Sequence, residues 1–323
     1  MTWTALAAAL LLCPTAIGAA THPVDDSYTV ARRFESYRQQ YPGIAWPNVA
    51  PRTGQTIAFD LVYKSLGERD LHIDVFSPPP HRQRHQGLLL VHGGAWRSGS
   101  KAHFYALANL LAQRGYTVFL PEYRLAPEAP YPAGMEDIGD ALAWAQDHAA
   151  IYRLSSDRIA LGGASSGGQM AALLAYRGTM ASPDRRVASR PNALIDLDGV
   201  LDATDPLALR YENAKGPESP LAQWLGGAFE QVPATWREAS AAHHVGPGAP
   251  PTLIVSSGMP RFTAGRDHVL TTLRDHGIRA AFYSYDKAPH DFWLFQPFLD
   301  RLVDRIDNFL RAVDADQTRR TKR

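Results

Sequence analysis

The 323-residue chain has a single cysteine, Cys13. Without a second thiol there is no disulfide framework and no thiolate metal cluster. Net charge is nearly absent as well. Lys and Arg number 33 against 32 Asp and Glu, a balance of +1, so neither nucleic acid nor an anionic membrane surface is expected as a partner. The apolar run Ala5–Leu12 is too short to span a bilayer, and the small residues Gly18, Ala19 and Ala20 follow it. That layout predicts a secretory signal peptide over residues 1–20, a secreted or periplasmic protein, and no stable membrane insertion. The segment Met1–Thr4 holds no Lys or Arg, so its positive charge is the amino terminus itself. Cys13 would leave with this segment, which also excludes a cysteine nucleophile. No internal repeat or low-complexity tract follows.

What is present is enough apolar residue, 45% of the chain, to bury a large core. From Leu71 onward, strand-like and helix-like stretches alternate. Strands are expected at Leu71–Phe76, Gly87–Val91, Thr117–Leu120, Arg158–Leu161, Ala193–Leu197, Thr252–Ser256 and Ala280–Tyr285. Helices are expected at Ala102–Arg114, Glu136–Ala150, Gln169–Tyr176, Val269–His276 and Leu299–Val313. Such alternation implies an α/β fold, a mostly parallel sheet with helices on both faces, whose ligands bind at the carboxyl ends of the strands. Residues 21–70 are expected as an N-terminal extension packed on a 71–315 catalytic domain. Residues 203–248 are expected as a lid or insert, and 316–323 as a solvated basic tail.

Three motifs fall at predicted strand ends. Gly162-Gly163-Ala164-Ser165-Ser166-Gly167-Gly168 follows one strand and opens a helix, the layout of a nucleophile elbow with Ser165 as nucleophile. Its glycines suit a turn that strains the central serine and crowds its neighbours. Ser166 is excluded as nucleophile because Ala164, not glycine, stands two residues before it. Val91-His92-Gly93-Gly94-Ala95-Trp96 ends a second strand in a small-residue loop, where backbone N–H groups can meet developing negative charge. The N–H groups of Gly94, Ala95 and Ser166 are the expected oxyanion donors, the last at a helix N-terminus, and His92 reads as a structural loop residue. Ala288-Pro289-His290-Asp291-Phe292-Trp293 follows the last strand, and His290 is the expected general base.

These motifs, together with Glu122-Tyr123-Arg124-Leu125-Ala126-Pro127-Glu128, resemble the carboxylesterases and carbohydrate esterases related to hormone-sensitive lipase. The likeness runs from about Leu71 to the last helix and implies an α/β-hydrolase fold, a Ser-His-Asp triad and no cofactor or metal. More narrowly, Pro260–Asp267 with Pro289–Phe295 is similar to secreted bacterial enzymes grouped with pectin and other polysaccharide acetylesterases. That likeness implies a small ester or an acetylated polysaccharide as substrate.

The sequence departs from the family at the triad acid. The usual Gly-x-x-Asp after the penultimate strand reads Gly258-Met259-Pro260-Arg261 here. Three carboxylates remain open for the role. Asp198, an extra acid at the end of the preceding strand, is the expected one; Asp267, which follows Arg266 at a helix start, is the alternative, and Asp202 lies in the turn between. Trp96, Trp293, Phe292 and Phe295 either form a sugar-stacking platform or fill the core, and Trp224 and Trp236 fall in the expected lid. A general carboxylesterase or lipase for small lipophilic esters shares every catalytic part. A peptidase is disfavoured by the lack of an additional domain to select a peptide, and a noncatalytic relative by the retained serine, loop and histidine.

Overall fold

The computed structural model describes Asp25, residues 27–178 and residues 190–321, and the expected signal peptide at 1–20 lies outside them. In chain order the elements are α1 (Val30–Tyr37), β1 (Thr56–Ser65), β2 (Asp70–Ser77), β3 (Gly87–Val91), α2 (Tyr105–Gln113), β4 (Thr117–Pro121), α3 (Ala133–Asp147), β5 (Ile159–Ala164) and α4 (Ser166–Arg177). There follow β6 (Leu194–Leu197), α5 (Pro206–Asn213), α6 (Pro220–Leu225), α7 (Pro233–Glu238), β7 (Thr252–Ser256), α8 (Arg266–Asp275), β8 (Ala280–Ser284) and α9 (Phe298–Thr321). The eight strands form one sheet in the order β1-β2-β4-β3-β5-β6-β7-β8. β2 runs antiparallel to both its neighbours, and from β4 to β8 every pairing is parallel.

The unbroken apolar runs of β3 and β7 are what a doubly covered parallel strand requires, because consecutive side chains enter opposite cores. Leu89, Val91, Leu161 and Ile254 pack on one face with Ile138 of α3, Met170 of α4 and Leu273 of α8. Leu88, Leu90, Ile195, Leu253 and Val255 pack on the other with Leu107 and Leu111 of α2 and Leu302 and Ile306 of α9. No helix among the described residues is long and apolar enough to cross a membrane.

Two expectations need correction. The described part of the expected 21–70 extension, from residue 27 on, is not simply packed on the core, since β1 is an edge strand of the sheet and a domain boundary at 70/71 would cut the β1–β2 hairpin. The alternation that marks a half-buried strand is missing in β1 because, as an edge, it leaves residues such as Phe59 and Val62 exposed. The tail from 316 is helical as far as Thr321, with Gln317, Thr318 and Arg319 exposed as a solvated tail would be. No glycine or proline stops α9 after Val313, and Asp314 and Asp316 are held by Arg158 and Arg279, with Arg319 adding a pair to Asp316 one turn on. The expected insert between β6 and β7 is helical, with Trp224 and Trp236 buried within it.

Candidate active site

The carboxyl ends of β3, β5, β6 and β8 bring Gly94, Ala95, Ser165, Ser166, Asp198 and His290 to one edge of the sheet. Ser165 sits between β5 and α4 with φ of +54°, a conformation that a non-glycine residue holds only when its surroundings enforce it. Its N–H donates to the Leu197 carbonyl at 2.8 Å and its carbonyl accepts the Gln169 N–H at 3.0 Å, so the turn is clamped from both sides. A Cβ at Gly163 would lie 2.3 Å from the Gly167 carbonyl oxygen, and one at Gly167 only 2.1 Å from that of Val91. Those two positions can be nothing but glycine without the elbow moving.

His290 lies in the loop after β8. Ser165 Oγ is 2.9 Å from His290 Nε2, and His290 Nδ1 is 2.8 Å from Asp198 Oδ2. Since a carboxylate only accepts, Nδ1 carries the imidazole proton toward Asp198 and leaves Nε2 to accept from the serine hydroxyl. The Asp198 side chain is fully buried. Its other oxygen accepts the Ser257 N–H at 2.8 Å, and its own N–H donates to the Val255 carbonyl at 2.9 Å. Its carboxylate is therefore fixed by β7 on one side and engaged by the imidazole on the other. The His290 ring is further held by Phe262, stacked on it at 3.9 Å with planes 2° apart, and by the edge-on ring of Trp293 at 5.2 Å.

The other two candidate acids lie elsewhere. Asp267 is 82% exposed in the first turn of α8, bonded to Arg266 at 2.8 Å. Asp202 caps its own turn through the Thr204 N–H and hydroxyl and lies 3.4 Å from His243. In the stretch after β7 where the family's usual acid would stand, a short helical turn at Pro260–Thr263 delivers Phe262 to the histidine instead.

The loop after β3 nests directly on the elbow, for a Cβ at Gly93 would come within 2.7 Å of the Ala164 carbonyl oxygen. Gly94, Ala95 and Trp96 all have positive φ, and the Gly94 carbonyl accepts the N–H and hydroxyl of Ser98 at 3.0 and 2.8 Å. Among the described residues the N–H groups of Gly94, Ala95 and Ser166 have no protein acceptor, and all three residues line the same cavity as Ser165 and His290. Its volume is about 290 Å³. His92 lies beneath this loop, with Nδ1–H donating to the Gly93 carbonyl at 2.9 Å and Tyr123 stacked at 4.5 Å. Burial lowers it to about 3, so it is a neutral brace at ordinary pH.

The aromatic candidates prove to be largely core. Phe292, Trp293 and Phe295 are buried, while Trp96 is fixed by Gln169 at 3.0 Å and stacked on Trp224 at 5.3 Å. None offers an open face of the kind a sugar ring needs. The sequence reading missed an N-terminal contribution. Tyr28 donates to Asp291 Oδ1 at 2.7 Å, Tyr37 donates to Oδ2 at 2.8 Å, and Arg33 pairs with the same carboxylate. The residue directly after His290 is thereby tied to α1. The one available signal was the i, i+4 spacing of Arg33 and Tyr37, which puts them on one helix face.

Asp196, two residues before Asp198 on β6, is fully buried, and its Oδ1 accepts the Gly199 N–H at 3.1 Å. Burial, reinforced by the neighbouring Asp198 charge, raises it from 3.8 to about 8. A raised folded value means that the folded state holds a proton the unfolded chain has released, so this group's stabilisation is present below about pH 4 and lost as pH rises toward 8. Asp196→Asn cannot ionise. The variant is expected to gain on the wild type by about 5 °C or more in Tm between pH 5 and pH 8, and thermal melts at the two pH values check it.

Comparison with known proteins follows this geometry. The BD-FAE family model matches residues 73–259, more than half of the chain. The chain belongs to the BD-FAE family. It is 30% identical to mouse hormone-sensitive lipase over 183 residues, 51% of this chain and 24% of that protein. It is 34% identical to the carboxylesterase NlhH of Mycobacterium tuberculosis over 122 residues, 38% of this chain and 36% of that one. The match thus spans well under half the length of both relatives. Among solved structures, a thermophilic esterase of the Planctomycetes species Thermogutta terrifontis with propionate bound superposes with a TM-score of 0.65 at 23% identity. The match covers 83% of this chain and 96% of that one. A truncated carbohydrate esterase from gut microbiota superposes at 0.66 and 20% identity, covering 83% and 100%. This BD-FAE chain has the α/β-hydrolase fold, and its relatives are esterases and lipases of the hormone-sensitive-lipase type.

Proposed function

We propose that this protein is a serine ester hydrolase that removes acetyl or other small acyl groups, with plant cell-wall polysaccharide as the carrier. The observation that carries the reading is the hydrogen-bonded series from Ser165 Oγ through His290 to the buried Asp198, opening on a cavity. Ser165 Oγ attacks the ester carbonyl as His290 Nε2 takes its proton. The C=O electrons move onto oxygen, which accepts from the N–H groups of Gly94, Ala95 and Ser166. Collapse of this intermediate expels the alcohol, which leaves with the proton from His290, and the acyl group stays on Ser165. Water, deprotonated by His290, then attacks the acyl-serine, and the acid departs as Ser165 recovers its proton. Asp198 holds the imidazole tautomer and stabilises the imidazolium in both halves.

Support for a saccharide carrier comes from the motif likeness at Pro260–Asp267 and Pro289–Phe295 and from the neighbour titled a carbohydrate esterase. A second reading, small lipophilic esters, is favoured by the relative named ethyl acetate hydrolase from Pseudomonas putida, 30% identical over 178 residues. Acetate release from acetylated xylan and pectin, compared with hydrolysis of p-nitrophenyl acetate and octanoate, separates them. Efficient acetate release with octanoate the poorer ester is the expected result. Octanoate as the better substrate would replace the polysaccharide reading with the lipophilic one. The signal-peptide pattern at 1–20 supports export, and a mature protein whose first residue follows Ala20 would accord with it.

A further inference from the structure

Among the described residues, cationic side chains outnumber anionic ones on the wall around Ser165. Among those residues three arginines, Arg33, Arg97 and Arg261, line the cavity, with Asp291 the carboxylate beside them. Asp291 is already committed: both its oxygens are taken by Tyr28, Tyr37 and Arg33. Burial works to raise it, but the charges of His290 and Arg33 and the two tyrosine hydroxyls outweigh this and hold it below the usual carboxylate range. Arg33 is spent in the same cluster.

The other two guanidiniums each keep donors that no described protein group takes. Arg97 makes long contacts to Asp25 at 3.3 Å and Gln223 at 3.4 Å and is 38% exposed. Arg261 lies flat on the Tyr211 ring at 3.5 Å, touches Glu212 at 3.1 Å through Nη2, and keeps a buried Nε with no partner. A guanidinium carries five N–H donors, so each retains donors for a ligand. The carboxylates that balance them, Asp25 and Glu212, are not part of the cavity wall.

We propose that Arg97 and Arg261 form a specificity site for a carboxylate on the alcohol side of the ester. This rests on the serine-esterase reading. The acyl carbonyl must lie at Ser165 and the N–H groups beside it. A cavity of about 290 Å³ cannot enclose a polymer-borne alcohol as well, so that part extends to the partly exposed arginines. Planar guanidiniums grip a carboxylate with paired N–H donors. Among saccharide esters the site selects a unit bearing an acid group over a neutral one.

The test compares 3-acetoxybenzoate with its methyl ester, which share acyl group and leaving ring and differ in charge. For the wild type at low salt, kcat/KM is expected to favour the acid by about tenfold or more. Arg97→Gln and Arg261→Gln are each expected to cut that ratio by about threefold or more, chiefly through KM, and 0.5 M NaCl to compress it. A ratio at or below one in the wild type, or a ratio that neither substitution moves, overturns the inference while leaving the esterase intact. Failure to hydrolyse either compound overturns the esterase reading itself.

Discussion

Asp198→Asn is expected to lower kcat on p-nitrophenyl acetate by about ten-thousandfold, while Asp267→Asn stays within about twofold of wild type. The contrast follows from position. Asp198 is fully buried, accepts the Ser257 N–H and engages His290 Nδ1 at 2.8 Å. An asparagine there retains the shape but can turn its NH2 toward the ring, which forces the proton onto Nε2 and leaves the serine with a donor where it needs an acceptor. Asp267 is 82% exposed and pairs with its neighbour Arg266, a contact of the kind worth little at a surface. Steady-state kinetics on the two variants check both halves, with near-UV circular dichroism to show that each has folded. An active Asp198→Asn enzyme alongside an inactive Asp267→Asn enzyme would mean that the histidine is re-oriented during turnover.

Ser165→Ala is expected to remove on the order of a millionfold of kcat, with residual hydrolysis no more than binding and the N–H donors supply. Ser166, one residue on, does not substitute. Its side chain is buried at the first position of α4, whereas His290 Nε2 faces Ser165 Oγ at 2.9 Å. The strained φ of +54° at Ser165 is the means by which that hydroxyl, and not its neighbour's, reaches the imidazole. Alanine can hold the same backbone, so the variant is expected to melt close to the wild type.

The parts of this protein legible in its sequence are those with a local signature. The apolar runs of β3 and β7 and the glycine pattern of the elbow report their own surroundings, since a doubly buried strand and a backbone crowded to about 2 Å tolerate few other residues. What stayed hidden depends on contacts between distant segments. β1 lacks a pattern because it is an edge. The sequence favours Asp198 over Asp267 and Asp202 but cannot decide among the three, because the distance from Asp198 to His290 is set by the separate loops after β6 and β8. The ties from Tyr28, Arg33 and Tyr37 to Asp291 join residues more than 250 positions apart, and no periodicity reports them. Arg261 in place of the family's usual acid, with Phe262 beside it stacked on His290, is the most informative departure. The loop after β7 no longer supplies the carboxylate, yet it still serves the histidine, now by stacking.

The most direct test of the account is covalent labelling with a fluorophosphonate, read by intact mass and peptide mapping. One adduct per chain, on Ser165 and lost in Ser165→Ala, is the predicted result, because only a hydroxyl activated by His290 and facing the N–H donors displaces fluoride at a useful rate. An unlabelled wild-type protein, or an adduct that maps to Ser166 or any other serine, would contradict it.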